Sequence, residues 1–237
     1  GHNRQFRESV TAFTDALLAA SPTIPGLDQT VVMPARRLHF TLGVMSLNSQ
    51  DSARTLAAAV ALLQSVRPKI LEVLRGKKLK VSLDRVDIMP PERGDQERAH
   101  VMWFGPADTA GGETFRAVAN LVHKAFKDSG LLVDENRPLK VCDLVAETRK
   151  SLLHCTIVNT IYRKPRPKER IPFSYPSILA STALRARLAN AGTSTSSQRG
   201  PIAVDFGTWE VNELQICEMG SWGPEGEYVA AARVSLS

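Results

Sequence analysis

Residues 37–47 read R-L-H-F-T-L-G-V-M-S-L, and residues 151–162 read S-L-L-H-C-T-I-V-N-T-I-Y. In each stretch, side chains of one parity are mostly apolar: Leu38, Phe40, Leu42 and Val44 in the first, Leu153, Cys155, Ile157 and Ile161 in the second. Successive side chains on a strand point to opposite faces, so these sets predict two strands with one face on a core. The opposite parity carries Arg37, His39, Thr41 and Gly43 in one stretch, and His154, Thr156 and Tyr162 in the other. The shared element is Leu-His-x-Thr with an apolar x, repeated nearly half the chain apart. A duplicated lobe, each copy contributing one strand, is the simplest account of that spacing.

A histidine and a threonine at i and i+2 share a face, roughly 6.5–7 Å apart. Two such pairs facing each other offer two imidazoles and two hydroxyls, which is the equipment for cleaving a phosphodiester. One imidazole removes a proton from water or a ribose hydroxyl, and the other protonates the leaving oxygen. Histidine alone has an unperturbed pKa near neutrality, so one ring can be neutral while its partner is charged. Threonine hydroxyls can donate to non-bridging phosphate oxygens. This chemistry needs no metal or cofactor, and the pattern leaves open which histidine is the base.

The paired motif resembles the two-histidine phosphoesterase superfamily, whose signature is two H-x-[T/S] motifs. Within it, the chain is similar to the branch of the activating signal cointegrator complex small subunit and the A-kinase anchoring protein central domain. The likeness is carried by L-H-C-T-I-V-N-T-I-Y-R-K at 153–164, G-K-K-L-K-V-S-L-D-R-V-D-I-M at 76–89 and F-K-D-S-G-L at 126–131. It spans most of residues 26–163 and is looser after Arg170. It implies a bilobal, LigT-like α+β fold, with two antiparallel or mixed sheets flanked by helices around a central cleft. Residues 1–237 would then form one such domain, with His39, Thr41, His154 and Thr156 as catalytic residues and no metal. The family's usual first strand, just before the first helix, is expected to lie upstream of residue 1 or to be replaced by another segment. The cointegrator subunit also carries an upstream KH domain, and no G-x-x-G loop that would serve one is expected here, so nucleic-acid affinity would come from the cleft itself.

The remaining sequence fits that frame. The chain has 237 residues, of which 43% are hydrophobic and 23% charged, as in an ordinary globular protein. No apolar run approaches the roughly 18 residues of a membrane helix, and no secretory signal opens the chain. Cys142, Cys155 and Cys217 make neither a disulfide framework nor a zinc motif, which points to a reducing compartment, nucleus or cytoplasm. The net charge of +6 favours an RNA or nucleotide ligand. Helical spacing is present over 6–19, 51–75, 114–129 and about 177–189, the second as one helix or as two separated near Pro68. Strands are expected near 31–33, 80–88, 99–104, 209–217 and 227–235, the last two as a hairpin, with a mobile loop at 190–200.

Secondary site candidates surround the motifs. Gly43 would let a ligand approach the backbone, Arg37 would clamp a phosphate, and Tyr162 would stack on a base. Arg163 and Lys164 begin the basic run R-K-P-R-P-K-E-R, a phosphate tract or simply a solvated loop. Trp103, Trp209 and Trp222 read as packing residues, and His2, His100 and His123 carry no assigned role. Besides a phosphodiesterase, two functions fit: a non-catalytic nucleotide or RNA sensor in a nuclear coactivator or repair complex, and a structural subunit that docks a partner protein.

Overall fold

The computed structural model describes residues 3–48, 50–107, 110–133, 153–189 and 200–237. In chain order the elements are α1 (Arg4–Leu18), α2 (Leu56–Leu74), β1 (Lys80–Ser82), β2 (Arg85–Ile88), β3 (Val101–Gly105), α3 (Ala110–Asp128), β4 (Cys155–Asn159), α4 (Tyr175–Ala180), α5 (Thr182–Arg185), β5 (Ile202–Ala203), β6 (Thr208–Glu210), β7 (Glu213–Trp222) and β8 (Tyr228–Ser235). The chain divides into two compact units. The first comprises 1–39, 82–107 and 154–209, and the second 40–81, 108–153 and 210–237. The architecture is α+β with antiparallel ladders.

The first unit is built on a four-stranded sheet in the order β4-β3-β2-β5. Its alternation is strict enough to give the sheet two chemically different faces. Val86 and Ile88 of β2, Met102 and Phe104 of β3 and Cys155 of β4 are buried. Phe104 packs on Phe13 of α1 at 5.8 Å between ring centroids and on Phe206 at 4.1 Å. Helix α1 presents Phe6, Val10, Phe13 and Leu17 inward and is capped by Asn3, whose side chain accepts from the Phe6 amide at 3.0 Å.

The second unit joins α2 and α3 to the β7–β8 hairpin. Thr55 caps α2 by accepting from Ala58 N, and Arg75 ends it in the left-handed region with φ 49°. Pro68 sits inside α2, which continues through it rather than breaking there. Arg67 of α2 donates to the backbone carbonyls of Ser235 and Ser237, tying the hairpin's end to the helix.

Several expected elements are shorter than their patterns. The 80–88 strand divides into β1 and β2, the helix near 177–189 becomes α4 and α5, and 31–33 makes only a Val32–Val158 bridge. The larger correction concerns 37–47, which is not a strand. Residues Ala35–Arg37 form a 3-10 turn, and among the described residues the following segment has a Met45–Leu132 bridge. The expected parity does not hold along it, since Leu38 is buried but Val44 is 38% exposed. The second motif's strand is real but stops at Asn159, where Thr160–Tyr162 turn into a 3-10 helix. The loop expected at 190–200, Cys142 and the start of the 151–162 stretch lie outside the described residues, apart from Gly200.

Truncating Phe104 to alanine is expected to cost about 3–5 kcal/mol in urea denaturation, because two aromatic neighbours lose their partner at once. Met219→Ala, at a position 77% exposed on the hairpin, is expected to stay within about 0.5 kcal/mol of wild type.

Candidate active site

Strand β4 carries the second motif. Cys155, Ile157 and Val158 are buried, whereas His154, Thr156 and Asn159 are half-buried. Its neighbour β3 pairs Phe104 with Cys155, Trp103 with Thr156, Met102 with Val158 and Val101 with Asn159, with a bulge between Met102 and Trp103. Paired residues share a face, so His154, Thr156 and Asn159 lie on the side opposite the α1 core, together with Trp103 and Val101. The Trp103 and His154 rings meet edge-on at 6.4 Å. Across β2, Asp87 pairs with Trp103 and extends the same row. Burial pushes the Asp87 carboxyl up to about 6, and burial followed by the nearby Asp87 charge raises the Tyr175 hydroxyl.

The outer edge of β4 is covered by the segment leading to the first motif. Met33 N donates to Ile157 O and Asn159 N to Val31 O, both at 2.8 Å. This antiparallel stitch carries the chain toward the His154 end of β4. After Pro34 the 3-10 turn reverses it, and buried Leu38 anchors the next step. His39 follows, with its backbone N–H against the Cys155 thiol. Burial pushes that thiol up to about 12, and the His39 amide offsets part of the rise.

His39 Nδ1 lies 2.7 Å from the Arg37 carbonyl. A carbonyl only accepts, so Nδ1 carries the hydrogen and Nε2 holds the lone pair of the neutral ring. The His39 pKa lies below its ordinary value. Loss of hydration is the main cause, the Arg37 carbonyl opposes it, and the charge of His154 adds to the depression. The ring still reaches solvent at its surface. The two motif histidines, far apart in sequence, therefore lie close enough for a charge on one to disfavour a charge on the other.

The other candidates are placed differently. His39, His154, Thr156, Arg37, Tyr162, Arg163 and Lys164 belong to the first unit, and Thr41 and Gly43 to the second. What Arg37 supplies to His39 is its carbonyl. Gly43 serves packing rather than ligand approach, since a Cβ there would lie 2.6 Å from the Leu132 side chain. Tyr162 is 40% exposed, but the strand ends before it, so its parity with His154 is lost. Arg163 is consumed by the fold. It is ion-paired with Asp28 and donates to the Gly26 carbonyl at 2.5 Å, with its side chain 12% exposed. Gly26 itself has φ 71° and sits so close to Pro172 that a Cβ would overlap its carbonyl. Lys164 is exposed, and its amide bonds to Thr30 Oγ1.

Sequence reasoning missed several residues. Trp103 is not only core, and Asp87 was unmarked; both enter the row through strand pairing, which no local pattern encodes. His123, given no role, is half-buried and donates from Nδ1 to the Leu42 carbonyl at 2.7 Å. With the Phe40–Phe115 contact at 4.9 Å, it fastens the segment around Thr41 to α3. His100, given no role, bonds Thr160 Oγ1 at 2.8 Å. Among the described residues no cluster of three or more histidine, cysteine or acidic side chains is arranged to hold a metal.

An α+β chain with paired H-x-T motifs, whose imidazoles sense each other beside one sheet, is a member of the two-histidine phosphoesterase superfamily. More narrowly, residues 2–236 match the family described as the AKAP7 2′5′ RNA ligase-like domain, and the chain belongs to that family. Among solved structures it is similar to E. coli LigT, crystallised with NADP+, at 13% identity and a TM-score of 0.44, covering 100% of this chain and 94% of that one. It is also similar to a crystal structure of a phosphoesterase at 14% identity and a TM-score of 0.40, covering 98% and 92%. Both likenesses are remote, and membership rests on the match along the whole chain.

The electrostatic link between the rings has a direct spectroscopic consequence. NMR titration of the His39 Cε1 proton is expected to give a pKa below 6.5, and His154→Gln is expected to raise it by removing a neighbouring positive charge. An unmoved His39 titration in that variant would mean that the rings do not sense each other.

Proposed function

We propose that this protein is a metal-independent phosphodiesterase acting on RNA ends or small oligonucleotides, at a 2′,3′-cyclic phosphate or at a 2′–5′ or 3′–5′ linkage. The observation that carries the reading is the state of His39: a fixed tautomer with Nε2 as the acceptor and a pKa depressed by its surroundings and by His154. A histidine kept neutral near pH 7 is a general base, which assigns the acid to His154.

In the proposed reaction His39 Nε2 takes a proton from water or a ribose hydroxyl as its oxygen attacks phosphorus. The bond to the leaving oxygen breaks, and His154 in its imidazolium form protonates that oxygen. The reaction leaves His39 charged and His154 neutral, and proton exchange with solvent restores both. Thr156, on the same face as His154, donates to a non-bridging oxygen, and Thr41 is its counterpart in the first motif. Membership in an RNA ligase-like family supports RNA as the substrate class, and the basic pI of about 9.4 suits a polyanion. A place in a nuclear complex, beside or instead of turnover, is the companion reading offered by the same resemblance.

His39→Ala and His154→Ala are each expected to lower turnover of a 2′,3′-cyclic or 2′–5′-linked substrate by about 10²–10⁴ while thermal unfolding is unchanged. Excess chelator is expected to leave wild-type turnover intact. For wild type, the acidic limb of kcat/KM is expected below pH 6.5, because on that side activity falls as His39 protonates. Undiminished hydrolysis in either alanine variant would exclude the mechanism. Tight nucleotide binding without turnover would favour a sensor.

A further inference from the structure

Arg170 closes the basic loop on itself. Its Nε donates to Thr160 Oγ1 at 2.7 Å, and its Nη2 donates to Asn159 Oδ1 at 2.7 Å and reaches the His100 carbonyl at 3.5 Å. All of these acceptors are neutral. Among the described residues no carboxylate pairs with the guanidinium, and Nη1 has no acceptor. Desolvation lowers the Arg170 pKa, and the Arg170 charge helps lower that of His100 after desolvation. A guanidinium oriented on three sides, open to solvent and facing no carboxylate among the described residues is placed to take an anion, and its planar donors match phosphate oxygens.

Its position gives that preference a meaning. Asn159 pairs with Val101, two residues from Trp103, and Trp103 pairs with Thr156. Asn159 therefore stands on the face that presents His154 and Thr156, and Arg170 is fastened to Asn159. From Thr156 to Asn159 is three residues, about 10 Å on a regular strand and less across the bulge. That is the backbone reach of one or two nucleotides. Arg163, the other arginine near the loop's base, is neutralised by Asp28 and cannot serve in this way.

We propose that Arg170 is a phosphate-binding subsite for the nucleotide flanking the scissile linkage, so that the preferred substrate is an oligonucleotide with at least one further phosphate rather than a mononucleotide. This rests on the phosphodiesterase reading above and extends it. Lys164, Arg166 and Lys168, all exposed on the same loop, continue the positive surface beyond this subsite.

The experiment measures turnover of a dinucleoside monophosphate and of its trinucleotide homologue, together with the affinity of the inactive His154→Gln protein for a short oligoribonucleotide at several salt concentrations. Wild type is expected to prefer the trinucleotide, and Arg170→Gln to reduce that preference about tenfold. In the His154→Gln background Arg170→Gln is expected to lower the slope of log Kd against log[salt] by roughly one contact. Arg170→Lys, which keeps the charge but loses the fork, is expected to keep that slope near its original value. If Arg170 only clamps the loop, both variants unfold more readily, and neither the preference nor the slope changes; that result overturns the proposal. Failure of the underlying reading is seen separately, as undiminished turnover in His39→Ala or His154→Ala.

Discussion

The site depends on a two-bond antiparallel stitch. Val31–Met33 closes the free edge of β4 through Met33 N to Ile157 O and Asn159 N to Val31 O. Edge strands expose unpaired donors and acceptors that must be satisfied, and here the segment that satisfies them also leads directly to His39. The 3-10 turn at Ala35–Arg37 converts a chain running past His154 into one that comes back toward it. Its last residue supplies the carbonyl that fixes the His39 tautomer. Sheet termination and the placing of His39 are thus met by the same few residues.

Once two imidazoles are neighbours, Coulomb's law divides their labour. Two charged rings side by side are disfavoured. The His39 pKa lies beneath its usual value, chiefly through desolvation, with the charge of His154 adding to the fall. The unpaired charge of Arg170, further along the same face, follows the opposite logic. Among the described residues no carboxylate neutralises it, which is what the proposed phosphate subsite uses.

The sequence made some of this legible and hid the rest for identifiable reasons. Helix α1 and the β7–β8 hairpin follow from local periodicity, and the second motif follows from strand alternation that persists as far as Asn159. The first motif alternates equally well yet is not assigned as a strand, because side-chain parity does not by itself fix the backbone. Arg163 and Arg170 bracket one basic run and look alike in sequence, but one is spent on Asp28 and the other is not. Asp28 is more than a hundred residues away from either, so no local reading separates the two arginines. Trp103 and Asp87 reach the site only through cross-strand register. Family resemblance singled out the two histidines, whereas the His39 tautomer is legible only from its contact with the Arg37 carbonyl.

Convergence of the two rings on a single phosphate is the claim on which everything else stands. It can be read by adding a nucleoside 2′-monophosphate to the wild-type protein and following the Cε1 protons of His39 and His154 together by NMR. The account predicts that both resonances move along one binding isotherm with a common Kd. Movement of one resonance alone, or two unrelated isotherms, would contradict it.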